Sequence, residues 1–138
     1  MTIAIRYFTQ TGNTKKMADA IAEHLGILAK PVTDDLDAKA DILFICNSVY
    51  YIGIHKSVKE FIARNKANIG TLVNVSSAAL IESSYKKMKK IAKANAVNLL
   101  EMEYHCKGSF KSIHKGHPND EDLKNLIAFV DEVLKEYK

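Results

Sequence analysis

The sequence predicts an α/β fold in which a parallel sheet carries helices on both faces. Strand-like and helix-like segments nearly alternate along its 138 residues, in the order β-α-β-β-α-β-α-β-α. This alternation is typical of parallel sheets, because each crossover between parallel strands needs a long connection that is usually a helix. The third strand-like segment, residues 41–47, is a continuous apolar run. Strands that are covered on both faces have this pattern.

Five segments rich in β-branched, aliphatic and aromatic residues predict the strands. They are residues 2–8, 27–32, 41–47, 71–76 and 98–106. Pro31 lies in the second segment, and a proline cannot donate to a sheet ladder, so we expect this strand at an edge of the sheet. The polar segment 34–39 takes the place of the helix that would otherwise join the second and third strands.

Four segments carry apolar residues at helical spacing and predict the helices. They are residues 15–25, 57–66, 82–95 and 119–137. Gly26 follows the first segment as a natural stop. The last segment has the most continuous apolar stripe, which consists of Leu123, Leu126, Ile127, Val130, Val133, Leu134 and Tyr137. Asn119 is placed to cap this helix, and acidic residues follow it at the positive end of the helix dipole.

The composition, 47% hydrophobic and 26% charged, predicts a single globular domain over residues 1–138. No apolar run approaches the ~18 residues of a membrane span, so no membrane partner is expected. The N-terminus does not resemble a signal peptide.

Cys46 and Cys106 form no Cys-x-x-Cys motif, and a cytoplasmic protein with reduced thiols is the simplest interpretation. Cys106, His114 and His117 match no standard zinc spacing, so no metal site is predicted.

The net charge of +4 and the pI of about 9.0 raise the question of a nucleic-acid partner. The charge is even along the chain, since residues 1–69 and residues 70–138 each carry +2. One basic cluster stands out, and it consists of Lys86, Lys87, Lys89, Lys90 and Lys93. These lysines follow helical spacing without interleaved aromatic residues. They therefore predict a solvated helix surface rather than a nucleic-acid site.

The loop between the first strand and the first helix has the residue types of an anion site. Thr9, Thr11 and Thr14 offer hydroxyl groups, Gly12 permits close backbone approach, and Asn13 tolerates unusual backbone angles. The loop ends where free helix N–H groups favour negative charge. It contains no Lys or Arg, and it lacks both a nucleotide P-loop motif and Gly-x-Gly-x-x-Gly spacing. This neutral cradle suits a single terminal phosphate.

The motif Thr-x-Thr-Gly-Asn-Thr at residues 9–14, directly after a first strand, resembles the phosphate loop of the flavodoxin family. Residues 47–53, Asn-Ser-Val-Tyr-Tyr-Ile-Gly, are similar to the second loop of that family. Residues 106–110 and 116–119 resemble the end of its short-chain branch. The resemblance covers nearly the whole chain. It implies a doubly wound, five-stranded parallel sheet of order 2-1-3-4-5, with non-covalently bound FMN as the cofactor.

The resemblance also implies which residues bind the flavin. The phosphate would be held by Thr9, Gln10, Thr11, Gly12, Asn13 and Thr14, with Gln10 contributing its backbone N–H. The other candidates lie in the next two loops, and they are Asn47, Ser48, Tyr50, Tyr51, Ile52, Gly53, Ser76, Ser77 and Ala78. Gly53 suits a peptide that reorients beside the flavin, because glycine adopts positive φ without steric cost. The tyrosines either cover the ring or pack their loop onto the sheet.

The function that the resemblance implies is that of a low-potential electron-transfer carrier, a monomer or weak dimer, with unidentified redox partner proteins. No residue is predicted to be catalytic, because the flavin supplies the redox chemistry. Two alternatives stay open. One is an NAD(P)H-dependent FMN reductase or quinone reductase, an oxidoreductase that at this length would need a dimer. The other is a non-redox module that binds a phosphate ligand. Electron-carrying flavodoxins are usually acidic, so the charge of +4 leaves the partners undefined.

Overall fold

The central sheet is built from strands that all pair in parallel. The strands β1 to β6 are Ile3–Tyr7, Ala29–Pro31, Ala40–Val49, Ile69–Ala78, Asn98–Leu99 and Tyr104–Lys107. The structure, a computed structural model, describes residues 1–10, 12–49, 53–78, 83–107 and 116–137. The strand order is β2-β1-β3-β4-β5, and β6 pairs with β4 beyond β5. The predicted order 2-1-3-4-5 is therefore confirmed, and β2, which contains Pro31, lies at the edge as expected.

The helices lie between the strands in the predicted alternation. They are α1 (Asn13–Leu25), α2 (Lys56–Asn65), α3 (Tyr85–Ala94) and α4 (Asp120–Glu136), and a 3₁₀ turn follows α2 at Lys66–Asn68. Gly26 ends α1 in the left-handed conformation, with φ of 68°. Asn119 caps α4 as predicted, since its side chain accepts from the Asp122 N–H while the Asp122 carboxylate accepts from the Asn119 N–H. In the described part of the chain, no helix is long and apolar enough to cross a membrane.

The sheet separates two apolar cores, and each core is covered by two helices. Alternate residues of β3 point to opposite faces, as the two-residue period of a strand requires. Phe44 and Cys46 pack with α1 and α4, whereas Leu43 and Ile45 pack with α2 and α3. Phe61 of α2 and the other buried apolar residues of the helices complete these two cores. The helices on both faces confirm the doubly wound architecture.

The two central strands extend further than the sequence predicted. β3 continues through Ser48 and Val49, and β4 continues through Ser77 and Ala78, although these residues were expected in loops. The two extensions pair with each other, Ser48 opposite Ser77 and Val49 opposite Ala78. The ladder continues because each strand supplies the other's backbone partners. This pairing between distant segments has no local sequence signal.

The predicted strand 98–106 is wrong as a single element, because it is split into β5 and β6. Both pieces pair with β4, with Leu99 opposite Leu72 and Tyr104 opposite Val75. Four residues, 100–103, therefore face two residues of β4, which is a bulge. The bulge turns toward the start of α3, where the Tyr85 hydroxyl donates to the Leu100 carbonyl at 3.3 Å. The predicted start of this helix at residue 82 is likewise corrected, since α3 begins at Tyr85.

A buried arginine organises the connection between β2 and β3, where the crossover helix is missing. Arg6 on β1 is 5% exposed, and its guanidinium donates to the carbonyls of Asp34 at 2.9 Å and Asp35 at 3.1 Å. The Asp35 carboxylate in turn accepts from Asn65 Nδ2 at 3.0 Å and Arg64 Nε at 3.1 Å. The two bonds from Arg6 satisfy backbone carbonyls of the loop, which in a helix would be satisfied by the helix itself.

We expect the ion pair at Asp35 to make stability depend on pH in the acid range. The hydrogen bonds from Asn65 and then Arg64 lower the pKa of Asp35. A lowered folded-state pKa stabilises the fold above the unfolded value of about 3.9 and loses that contribution as the pH falls through the folded value. Asp35→Asn should therefore be less stable than the wild type at about pH 6 and equally stable at about pH 2. Urea unfolding at both pH values measures this, and a difference that persists at low pH would contradict it.

Candidate functional site

The candidate site lies at the carboxyl end of the sheet, between the loops that follow β1 and β3. The strand order reverses at this point, since β2 lies on one side of β1 and β3 on the other. Ligands of open α/β sheets bind in the crevice at such a reversal. Phe8, at the end of β1, stacks on His55, which precedes α2, with ring centroids 4.1 Å apart and planes 17° from parallel. The first and second loops are therefore in direct contact.

The first loop turns into α1 at Gly12. This residue is the N-cap of α1 and has φ of 92°, which an L-amino acid rarely adopts. Its N–H donates to Thr9 Oγ1 at 2.7 Å. A Cβ built on Gly12 would meet no atom of the described residues within 4 Å, so the described part of the chain leaves open space beside the backbone here. The turn thus places a stretch of backbone that no side chain of Gly12 covers at the edge of the crevice.

The N-terminus of α1 differs from that of α4 in its electrostatics. Among the described residues, no side chain caps α1 at Gly12, and the first turn of the helix contains no acidic residue. The N-terminus of α4, by contrast, has a capping box and three acidic residues in its first turn. Since the first N–H groups of a helix have no intrahelical partners, α1 presents donors and a positive dipole end to the crevice. A phosphate fits this arrangement.

The threonines of the first loop also shape its backbone. Thr14 is fully buried, and its hydroxyl donates to the carbonyl of Phe8, which ties the start of α1 to the end of β1. Thr9 accepts from the Gly12 N–H, so its hydroxyl hydrogen can turn toward a ligand. Gln10 is exposed, and Asn13 is 8% exposed. Thr11 lies outside the described residues.

The second loop is described at its two ends. Gly53 is buried and has φ of 103°, the conformation that only glycine adopts without strain. A Cβ built on Gly53 would lie 3.0 Å from Lys87 Cδ and 3.4 Å from Lys87 Nζ. The side chain of Lys87 on α3 therefore covers this part of the loop. Tyr50, Tyr51 and Ile52, which were predicted to contact the flavin ring, lie outside the described residues.

A network of three buried side chains, Asn47, Asn74 and Ser84, joins the elements next to the loops that follow β3 and β4. Asn47 Nδ2 donates to Asn74 Oδ1 at 2.8 Å, Asn74 Nδ2 donates to Ser84 Oγ at 3.0 Å, and Ser84 Oγ donates to Asn47 Oδ1 at 2.6 Å. All three residues are fully buried. The network links the ends of β3 and β4 to the start of α3, so Asn47 holds the loops that frame the crevice.

The remaining predicted residues lie at the ends of the same two strands. Ser76 Oγ accepts from the Ser84 N–H at 3.4 Å, and Ser77 is 1% exposed. Ser48 differs from Ser76, because its buried Oγ has no hydrogen-bond partner among the described residues. A buried hydroxyl without a partner is costly unless a ligand or water completes it. Ala78 ends β4, and its backbone pairs with Val49.

Sequence reasoning missed three features of the site. His55 is half-buried, caps α2 by accepting from the Ser57 N–H at 3.1 Å, and stacks on Phe8. Lys16 Nζ donates to the Pro118 carbonyl, which brings the end of the segment 107–118 against α1. Asn74 was assigned only to a strand. The contacts of His55 with Phe8, of Lys16 with Pro118 and of Asn74 with Asn47 join residues 27 or more positions apart, so no local pattern could have indicated them.

The surroundings of the two cysteines do not favour a reactive thiolate. Cys46 is fully buried, and its burial raises the pKa of the thiol. Burial also raises the pKa of Cys106 to about 12. Both side chains are therefore protonated at neutral pH and are poor nucleophiles. Cys46 packs in the apolar core beneath the sheet, as a small core residue does.

The family of the chain follows from comparison with known proteins. A family model described as a flavodoxin domain matches residues 4–116, which span the sheet from the second residue of β1 to the end of β6 and include the first and second loops. The chain belongs to the flavodoxin family. An uncharacterised protein of Methanocaldococcus jannaschii is 26% identical over 137 residues, covering 89% of this chain and 91% of its own.

Solved structures of flavodoxins share the fold over the full chain. A flavodoxin from the domain Archaea has a TM-score of 0.72 and 14% identity, covering 99% of this chain and 98% of its own. A short-chain flavodoxin associated with a non-canonical PDU bacterial microcompartment has a TM-score of 0.73 and 18% identity, with full coverage of both chains. Oxidised flavodoxin 2 from Bacillus cereus has a TM-score of 0.66 and 15% identity, covering 96% of this chain and 99% of its own. Flavin binding accords with this membership.

Proposed function

We propose that this flavodoxin-family protein binds FMN and carries electrons at low potential between protein partners. The observation that carries the proposal is the uncapped N-terminus of α1 beneath Gly12, with no acidic residue in its first turn. The backbone N–H groups of Asn13 and Thr14 would donate to the phosphate. Gly12 would let the phosphate approach the backbone closely, and Thr9, Gln10 and Thr11 of the same loop would complete the cradle. Bound FMN would supply one-electron and two-electron redox chemistry, and the protein would supply its position and electrostatics.

The low potential follows from the charges of the first loop. Residues 9–14 contain no cationic side chain, so the phosphate keeps its negative charge in the complex. A nearby negative charge opposes the addition of further negative charge to the ring. Lys87, beside Gly53, acts in the opposite sense, but its side chain is exposed and is screened by solvent. Buried Ser48, whose Oγ lacks a protein partner among the described residues, would hydrogen-bond the ligand from the end of β3.

We expect the purified apoprotein to quench the fluorescence of added FMN with one-to-one stoichiometry and to turn yellow. A potentiometric titration of the complex should show two separated one-electron steps, the second at low potential. A colourless protein that leaves FMN fluorescence unchanged would refute flavin binding and favour the phosphate-binding alternative. A single two-electron step, or steady NAD(P)H oxidation by the protein alone, would refute the carrier function and favour a reductase.

A further inference from the structure

The helices on the two faces of the sheet carry opposite net charge. α2 and α3, on one face, contain eight basic residues and one acidic residue, a formal charge of +7. α1 and α4, on the other face, contain four basic and eight acidic residues, a formal charge of −4. The four helices together contribute +3 of the net charge of +4, so the small net charge conceals a strong separation across the sheet.

The positive face, which we call the lysine face, consists of the outward side of α2 and α3. Its lysines are Lys56, Lys59, Lys86, Lys87, Lys89, Lys90 and Lys93, and all seven are exposed. α3 contains no acidic residue. Among the described residues, no ion pair neutralises any of these lysines, whereas Lys15 on α1 pairs with Asp19 at 2.7 Å. The charge of the lysine face is therefore available to a partner.

A depression in the lysine face adjoins the candidate flavin site. Its volume is about 210 Å³, and it is lined by Ile54, Lys59, Lys87, Lys90 and Ile91. Its lining combines three lysines with two isoleucines, which suits carboxylate side chains at the rim of a protein with an apolar centre. Lys87 contacts both the depression and Gly53 of the second loop. A partner seated here would approach the edge of the crevice.

We propose that the lysine face docks an acidic redox protein, with carboxylates of the partner between Lys59, Lys87 and Lys90. This inference rests on the proposed electron-carrier function. An acidic protein is favoured over nucleic acid because the outward side of α3 carries no aromatic side chain for base stacking. The negative face of α1 and α4 repels such a partner. The protein is therefore oriented with its lysine face toward the partner before the two make contact. Steering of this kind raises association rates and weakens with salt.

The test compares two variants that remove the same charge from opposite faces. Lys59→Gln/Lys90→Gln alters the lysine face, and Lys124→Gln/Lys135→Gln alters exposed lysines of α4. The probe is a small acidic [4Fe–4S] ferredoxin, reduced with dithionite and mixed with the FMN-loaded protein in a stopped-flow instrument. For the wild type, the second-order rate should fall by about tenfold or more from low to high salt. At low salt, the lysine-face variant should be about tenfold slower and the α4 variant within about twofold of the wild type.

A flavin-independent measurement separates failure of this proposal from failure of the proposed function. Binding of fluorescently labelled ferredoxin to the apoprotein at low salt should weaken about tenfold in the lysine-face variant and remain unchanged in the α4 variant. Both variants should bind FMN as the wild type does. Equal effects of the two variants, a rate that rises with salt, or tighter binding of a single-stranded oligonucleotide than of ferredoxin would each overturn the proposal.

Discussion

Gly12→Val should weaken FMN binding by about tenfold to 100-fold, as measured by titrating apoprotein into FMN and following fluorescence. Gly12 has φ of 92°, and a β-branched residue in this conformation is strained. Relief of the strain would turn the Asn13 and Thr14 N–H groups away from the phosphate. The loss of one hydrogen bond to a charged group costs about 1.5–3 kcal/mol, which corresponds to that range of dissociation constants.

Gly26→Val is the matched control for this experiment. Gly26 ends the same helix and also has positive φ, and a Cβ built on it likewise meets no described atom within 4 Å. Both substitutions should therefore lower the free energy of unfolding by a similar amount, on the order of 1–2 kcal/mol. Only Gly12→Val should change the affinity for FMN. If the two variants bind FMN equally well, the first loop is not the phosphate site.

Asn47→Ala should lower the free energy of unfolding by about 2–4 kcal/mol, as measured by urea denaturation. The Asn47 amide donates to the carbonyl of Ile45 at 3.0 Å as well as to Asn74 Oδ1 at 2.8 Å, and Asn47 Oδ1 accepts from Ser84 Oγ at 2.6 Å. All of these groups are buried, so the substitution leaves several polar atoms without partners. Each such atom keeps its full desolvation cost.

Asn98→Ala provides the comparison, because Asn98 is also an asparagine of the sheet but is exposed. Its side chain makes one hydrogen bond, from Nδ2 to Thr71 Oγ1 at 3.0 Å. Its removal should cost less than about 1 kcal/mol, since water replaces the lost partner. Equal destabilisation by the two substitutions would show that the buried network contributes no more than a surface contact.

The sequence was sufficient for the fold because its signals are local and consistent. The apolar run at 41–47, the edge proline Pro31 and the stripe of the last helix each predict one element, and their alternation restricts the topology to few solutions. The first loop was also predictable, since Gly12 and its threonine neighbours are the residue types that such a turn needs. These features depend on contacts between residues close in sequence.

The side-chain contacts of the site were not predictable in the same way. Asn47 and Asn74 are 27 residues apart, and Ser84 belongs to a third element. Their mutual hydrogen bonds exist only because β3 and β4 are neighbours in register. The split of the fifth strand has the same origin, since the bulge at 100–103 is seen only against β4. The contact between Phe8 and His55 likewise requires the loops of β1 and β3 to meet.

The charge of the protein shows this division most clearly. The sequence by itself determined the amount of charge, +4, and its even division between the two halves of the chain. Only the tertiary structure decided where that charge lies. The strand order places α1 with α4 on one face and α2 with α3 on the other. The first and last helices of the chain therefore share a face, and the sheet separates them from the two helices between them in sequence. Electrostatic fields depend on distance in space and not on distance along the chain. A charge that is evenly divided along the sequence therefore becomes separated between the two faces of the folded protein.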